Sequence, residues 1–374
     1  MALSTEDKQK QMFQQSLQNF LAPIVPFLED ESVSEIMING PHKIFIERKG
    51  RIVLSDAKFR DDNTLGAAVR NIAQFVGRVL NADQPRMDAR LPDGSRVHVI
   101  IPPLCRAGVS VTIRKFSKES LTMDKLLSFG SITPRAVEFL DHCVKIHRTI
   151  MVSGGTGSGK TSLLNVLSAL INPAERILVI EDSAELQIQQ DHVVNLETRP
   201  PDKNGKGAVS IRDLMHSALR MRPDRIIIGE IRSGEALDLL QATTSGHSGS
   251  MGTVHANNPR DTLSRLETLS MYSGVELPLQ AIRAQVSSGM QVVVQTNRFS
   301  DGSRKITHIT EILELDDAGR YQTRDIFRFK VDKTDDDGKI HGRFMTTGYI
   351  PSFLGEMQVA GIGISEDFFK EGLI

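Results

Sequence analysis

Eight consecutive residues, Gly154-Gly155-Thr156-Gly157-Ser158-Gly159-Lys160-Thr161, carry the spacing G-x-x-x-x-G-K-[ST]. Glycines in this pattern let backbone N–H groups wrap closely around phosphate oxygens. Lys160 has the length to reach β- and γ-phosphates, and the Thr161 hydroxyl suits Mg²⁺. Thr149-Ile150-Met151-Val152 reads as a buried strand entering the loop. Residues 162–170 read as an apolar helix leaving it, whose N-terminal dipole favours an anion. Gly155, Thr156, Gly157, Ser158, Gly159, Lys160, Thr161 and Ser162 are therefore the candidate nucleotide-binding residues. A merely flexible glycine-rich loop would not carry the whole pattern between a strand and a helix.

Cleaving a nucleoside triphosphate needs more: a metal-shell acid, a group that orients or deprotonates water, and a sensor for the γ-phosphate. Carboxylates stand where apolar strands end. Arg225-Ile226-Ile227-Ile228-Gly229-Glu230 reads as such a strand, which makes Glu230 the candidate to hold Mg²⁺ through water. Arg176-Ile177-Leu178-Val179-Ile180 leads to Glu181 and Asp182, with Glu185 one turn further on. One of these three is expected to orient the attacking water and another to assist the metal. Spacing does not rank them, because roughly an ångström of placement decides. His247 and His255 bracket a glycine-rich turn and the strand Gly252-Thr253-Val254-His255. A lone histidine is usually structural, but this pair fits a γ-phosphate sensor. A zinc pair is the weaker reading, since no cysteine or third histidine stands at ligand spacing. Arg220, Arg222 and Arg232 border the Glu230 strand and read equally as partners of nearby acids or as subunit contacts.

Upstream, Arg90, Arg96, Arg106 and Arg114 fall close together at strand ends and turns. For each, solvated charge competes on even terms with phosphate contact, for which a planar, permanently charged fork is suited.

The elements that must position these groups fit a globular chain. Of 374 residues, 40% are hydrophobic and 24% charged, which excludes disorder and allows two domains plus an appendage. A net charge of −1 gives no overall attraction to nucleic acid or acidic membranes. Cys105 and Cys143 are too few for a disulfide framework and suit a reducing cytosol. No apolar run approaches the ~18–20 residues of a membrane span, so membrane association is expected to be indirect.

Residues 1–31 are expected to open with a helix capped by Ser4. Its stripe is Met12, Phe13, Leu17, Phe20, Leu21 and Ile24, and Pro23 and Pro26 end or kink it. Residues 32–116 read as an α+β domain, with a hairpin about Lys49-Gly50 and strands flanking Pro92-Asp93-Gly94-Ser95. A helix there spans about 63–80, with Leu65, Val69, Ile72, Ala73, Val76 and Leu80 on one face. Residues 117–130 are a linker. Residues 131–315 alternate strand and helix as an α/β domain does, beginning with a helix capped by Thr133 with Pro134 in its first turn. Residues 316–374 are an extension. Its Phe344, Tyr349, Phe353, Leu354, Met357, Phe368 and Phe369 are expected to pack on the preceding domain in preference to forming a docking surface.

Together these parts resemble the secretion ATPases that power type II and type IV secretion and type IV pili. Residues 154–161 correspond to Walker A and Glu181-Asp182-Ser183-Ala184-Glu185 to the aspartate box. Gly229-Glu230-Ile231-Arg232 corresponds to Walker B and residues 247–255 to the histidine box; the likeness covers about residues 32–315. It implies a C-terminal RecA-like P-loop ATPase domain behind a PAS-like α+β N-terminal domain, using ATP with Mg²⁺. It implies Glu185, ahead of Glu181, as catalytic glutamate, and Arg96, Arg106 and Arg114 as arginines presented to nucleotide. It also implies a homohexameric ring with nucleotide bound between the two domains. Hydrolysis in such a ring moves the domains against an inner-membrane platform protein. The expected setting is the bacterial cytoplasm, peripheral to the inner membrane, with no direct nucleic-acid partner.

Within that superfamily, Leu91-Pro92-Asp93-Gly94-Ser95-Arg96-Val97 and Val33-Ser34-Glu35-Ile36-Met37-Ile38-Asn39-Gly40 resemble the Tad/Flp pilus assembly ATPases, often called CpaF or TadA. So do Asp325-Ile326-Phe327 and Thr347-Gly348-Tyr349-Ile350-Pro351 in the tail. The expectation is ATP-driven assembly of a Tad/Flp type IV pilus, with retraction left open. Two departures stand out. The N-terminal lead is short, so a longer targeting segment is expected to be absent, and Ser183 replaces a proline common in pilus relatives. The alternative is a VirB11-like type IV secretion ATPase that exports DNA or effectors and shares the catalytic boxes. A RecA-type nucleic-acid motor calls for basic, aromatic-bearing loops, against which 5% aromatics and no tryptophan argue. The filled catalytic positions argue against a non-hydrolysing switch.

Overall fold

The computed structural model describes residues 20–48, 50–116, 121–202 and 205–373. Two compact units divide the chain, Met1–Glu119 and Ser120–Ile374. The expected stripe residues Met12, Phe13 and Leu17, and the cap Ser4, lie outside the described residues.

The first unit is a six-stranded antiparallel sheet. Its order is β3 (Arg51–Leu54), β2 (Ile44–Arg48), β1 (Val33–Asn39), β6 (Ser110–Arg114), β5 (Arg96–Ile100) and β4 (Arg86–Arg90). One face is apolar through strict alternation: Ile36, Ile38, Val97, Val99, Val111 and Ile113 are all buried. The helix Asp62–Phe75 contributes Leu65, Ala68, Val69, Ile72 and Ala73 to the same core. Its N-cap Asp61 accepts a hydrogen bond from the Thr64 N–H at 2.8 Å. It stops five residues short of the expected end. Val76 is the cap, and Gly77 follows at φ +68°, a left-handed turn that ends helices. Leu21 and Ile24 are buried in this unit's own core.

The second unit is a ten-stranded sheet. Six parallel strands run in the order β12 (Val292–Arg298), β7 (Ile150–Gly154), β11 (Met251–Val254), β10 (Arg225–Ile228), β8 (Ile177–Glu181) and β9 (Val193–Glu197). Beyond β12 the sheet turns antiparallel through β13 (Arg304–Leu313), β14 (Gln322–Thr334), β15 (Ile340–Thr346) and β16 (Gly372–Leu373). The central strands are buried on both faces, which is why they read as unbroken apolar runs. Alternation sends Ile150, Val152, Ile177 and Val179 into one core and Met151, Leu178, Ile180 and Ile228 into the other. From β7 the chain crosses to β8 and returns through β10 and β11. Only then does β12 pair on the other flank of β7. Such a switch opens a crevice at the carboxyl ends of the strands.

The tail is not peripheral to this core. Phe327, Phe344, Phe353, Met357 and Phe369 join the cluster that holds Ile150 and Leu163. Phe139, on the helix Pro134–Lys145, has ring centroids 5.2 Å from Phe327 and 5.9 Å from Phe369. That helix has Thr133 as N-cap, without the side-chain hydrogen bond expected of it. Among the described residues no helix is long and apolar enough to cross a membrane.

At the amino end of β10, Arg225 is fully buried and is the largest such side chain. It pairs with Glu175 and donates to the carbonyls of Val144 at 2.8 Å and Gly249 at 3.0 Å. An arginine opening an apolar strand thus ties three segments together. Arg225→Ala leaves Glu175 and two carbonyls without their donor. It is expected to lower unfolding free energy by about 3–5 kcal/mol, read by chemical denaturation. A loss under 1 kcal/mol would show the site to be wetter than its burial implies.

Candidate active site

The loop 154–161 joins β7 to the helix Lys160–Ser168, with Gly159 as a left-handed N-cap at φ +95°. Lys160, the first residue of that helix, is buried at 7% exposure. Its Nζ donates to the Gly155 carbonyl at 3.0 Å. Parallel register carries the rest of the site to the same edge. Val254 pairs with Ser153, so His255 follows β11 beside the start of the loop. Lys160 Nζ lies 3.3 Å from His255 Nδ1, and His255 Nε2 lies 3.0 Å from Glu230 Oε1. A proton on Nε2 serves both contacts, since Nδ1 then accepts from Lys160 and Nε2–H donates to Glu230. Arg232 donates to Glu230 at 2.6 Å and to Asp182 at 3.0 Å, linking the acids at the ends of β10 and β8.

Charge follows this geometry. Burial and the neighbouring Lys160 cation push the His255 pKa below 6.5, against the pull of Glu230. Neutral imidazole therefore prevails at pH 7. Burial pushes the Glu230 carboxyl up, but the hydrogen bond and charge of Arg232, with His255 and Lys160, outweigh it and hold it below its ordinary value. Two variants separate these effects in an NMR titration of His255. Lys160→Ala is expected to raise its pKa, because a repelling cation goes. Glu230→Gln is expected to lower it further, because an attracting anion goes. A shift of opposite sign in either would contradict the arrangement.

Glu181 and Glu185 differ in kind. Glu181 is buried at 4% exposure, and its Oε1 accepts the N–H groups of Glu185 at 2.9 Å and Leu186 at 3.1 Å. It shapes the turn on which Glu185 sits. Glu185 is half-buried and contributes to the field at Arg232. Gly229 is needed beside Glu181, since a Cβ there would come 2.9 Å from Glu181 Cγ.

His247 does not join this group. It precedes the amino end of β11 while His255 follows the carboxyl end, so a strand of four residues, about 13 Å, lies between them. The His247 carbonyl accepts from Ser250 Oγ at 2.8 Å, and the Gly249 carbonyl, two residues on, accepts from the buried Arg225 at 3.0 Å.

In the first unit, β4, β5 and β6 set Arg90 opposite Arg96 and Arg96 opposite Arg114. Directly opposed residues share a sheet face, so the three form a row on the side away from the core. Glu35 opposes Arg114 on β1. Arg106 is not in the row. It lies in the turn between β5 and β6, at the other end of a hairpin about 14 Å long.

Residues that the motif reading passed over also support the loop. Gln295 and Thr296 are buried polar residues in β12. Thr296 Oγ1 lies 2.8 Å from Ser158 Oγ and donates to the Ser153 carbonyl at 3.1 Å. Gln295 bonds Ser153 Oγ and the Ala256 carbonyl. The signal was present: a polar pair ends an apolar run there, as Glu230 does in β10.

The arrangement fits a nucleotide with Mg²⁺. A Cβ at Gly154 would come 2.4 Å from Thr296, so the loop can pass here only as glycine. Among the described residues no cluster of three or more His, Cys, Asp or Glu could hold a metal unaided.

Comparison with known proteins agrees. The family profile described as Type II/IV secretion system protein matches residues 18–314. The chain belongs to this family. Among its relatives is a putative conjugal transfer protein of Mycobacterium tuberculosis, 31% identical over 322 residues, 84% of this chain and 90% of that protein. The type IV secretion system protein PtlH of Bordetella pertussis is 34% identical over 317 residues, 78% of this chain and 94% of that one. The crystal structure of the pilus retraction motor PilT with bound ADP shares the fold, with a TM-score of 0.54 at 21% identity, covering 76% of this chain and 80% of that one. The fold is accordingly that of the secretion ATPases, with an N-terminal domain ahead of a RecA-like domain.

Proposed function

We propose that the chain binds ATP with Mg²⁺ at residues 155–162 and hydrolyses it to drive a bacterial secretion or pilus machine. The observation that carries this reading is the convergence of Lys160, His255 and Glu230 at one sheet edge, on a phosphate loop. The N–H groups of the loop cradle the phosphates, and Lys160 neutralises the β- and γ-oxygens. Thr161, directly, and Glu230, through water, would hold Mg²⁺, which would supply further charge neutralisation. Glu185 orients the attacking water and accepts its proton. His255 senses the γ-phosphate through the Lys160 ammonium, which donates to its Nδ1. Arg96 and Arg114 are proposed phosphate contacts, a role supported by the family resemblance and their shared row; Arg106 and His247 are left out of this group.

For the machine itself, the Tad/Flp pilus is the first reading, carried by residues 33–40 and 91–97 and the tail segments. Type IV secretion is the second, favoured by the names of the relatives. Either places a homohexamer in the cytoplasm, acting on an inner-membrane platform protein. Purified chain should release phosphate from ATP, and EDTA should stop it; no release would sink the enzyme reading. In a deletion strain, lost pili with intact export would favour the first machine, and the reverse the second. Stimulation of hydrolysis by DNA would favour a nucleic-acid motor instead.

A further inference from the structure

Two arginines that no motif contains lie at the phosphate loop, and one of them bonds it. β12 and β13 pair antiparallel, and their last register pair is Arg298 with Arg304. Directly opposed residues share a face, and this face meets the loop. Arg304 Nε donates to the Gly157 carbonyl at 2.8 Å. A Cβ at the same residue would come 3.3 Å from Arg298 Nη1. Gly157 itself has φ +68°, a conformation that turns the chain sharply. Two like charges opposite one another on a hairpin are ordinarily unfavourable. Here both flank the point where the chain bends around an anion site.

The bond to Gly157 has a consequence for the loop's donors. A peptide unit is planar, so the Gly157 carbonyl and the Ser158 N–H point in opposite directions and rotate together. The carbonyl is held by Arg304, and the N–H by the Gly155 carbonyl at 3.3 Å. Both ends of this peptide plane are therefore tied before any ligand arrives. If the plane turned over, the Gly157 oxygen would lose Arg304 and face the Gly155 carbonyl, to which Lys160 Nζ also donates, and the loop would deform. Arg304 keeps that oxygen outward.

We propose that Arg304 is a positioning residue that preorganises the phosphate loop for the nucleotide's phosphates, with Arg298 adding positive charge beside it. The inference rests on the reading of residues 154–161 as a nucleotide phosphate loop. Preorganisation lowers the cost of ordering the loop on binding and so acts on affinity. It contributes equally to ground and transition states, so it appears in KM and not in kcat.

The test uses the full chain, with Mg·ADP affinity by calorimetry and steady-state hydrolysis of Mg·ATP. Arg304→Ala is expected to weaken ADP binding about tenfold, equivalent to ~1.4 kcal/mol. It should raise KM by a similar factor and leave kcat within about twofold. Arg304→Lys should remain weak, because lysine keeps the charge but has no N–H at the Nε position. Arg298→Ala should weaken ADP binding, but less than Arg304→Ala does, because charge is the only contribution assigned there; unchanged affinity removes Arg298 from the proposal. Unchanged ADP affinity in Arg304→Ala overturns the proposal. So does a fall in kcat with affinity intact, which would place Arg304 in the chemistry, and so does full rescue by lysine at 304. Arg304→Gln serves as a second variant if the alanine form does not fold, with the same loss of affinity expected and wild-type affinity counting against. Wild-type chain that binds no ADP would refute the nucleotide reading itself, an outcome distinct from a failed Arg304 effect.

Discussion

Lys160→Ala is expected to abolish measurable ATP binding, by at least about 100-fold in Kd. Lysine 160 is the one cation that the helix Lys160–Ser168 places at its own N-terminus, and it is nearly enclosed. Its ammonium bonds the Gly155 carbonyl and touches His255, so it is fixed before ligand arrives and needs little reordering. A charge-assisted hydrogen bond contributes about 1.5–3 kcal/mol. Loss of one or two such bonds to phosphate corresponds to roughly 10- to 10⁴-fold in affinity. The remaining neighbours compound the loss, because Glu230 keeps its negative charge while Lys160 no longer offsets it. Calorimetry with Mg·ATP reads the outcome, and circular dichroism establishes that the variant is folded. Affinity within threefold of wild type would mean that the loop does not hold phosphate through this residue.

Glu185→Gln is expected to leave ATP affinity within about threefold and to cut kcat by 10²–10⁴, the usual contribution of general-base catalysis. The structure gives a reason to place the effect at this carboxylate. Glu181 spends one oxygen on the backbone of the turn, and Asp182 and Glu230 are bridged by Arg232. Glu185 is presented on the turn those bonds stabilise. The amide of glutamine is nearly the same size but is no base, so the substitution isolates the proton transfer. Phosphate-release kinetics at saturating ATP provide the measurement. Normal turnover would move the base to Asp182 or Glu230, and a large loss of affinity would make Glu185 a binding group.

Much of the candidate site was legible in the chain because its signals are local. The loop is eight contiguous residues, and each terminal acid follows an apolar run that could only be a buried strand. Spacing alone did not rank the acids, because Glu181 and Glu185 are four residues apart and differ only in which way a turn points them; the family resemblance put Glu185 first. The helix end at Phe75 was missed for a related reason. Leu80 is buried, as its spacing foretold, but the left-handed Gly77 had already ended the helix.

By itself, then, the sequence determined the glycine-rich loop between a strand and a helix, the α/β alternation around it and the acids at the strand ends, since each depends on neighbours within one element. Only the tertiary structure decided what meets them. It set His255 beside Lys160 and His247 a strand's length away, because the two ends of one extended segment cannot share a site. It gathered Arg90, Arg96 and Arg114 into a row and left Arg106 at the far end of its hairpin, because register is a property of paired strands. It fixed which core receives Phe327, Phe344 and Phe369 of the tail, beyond the span of the family match: the one that holds the loop's own strand. And it brought Arg304 onto Gly157 from 147 positions away, a contact that exists only because β12 pairs with β7.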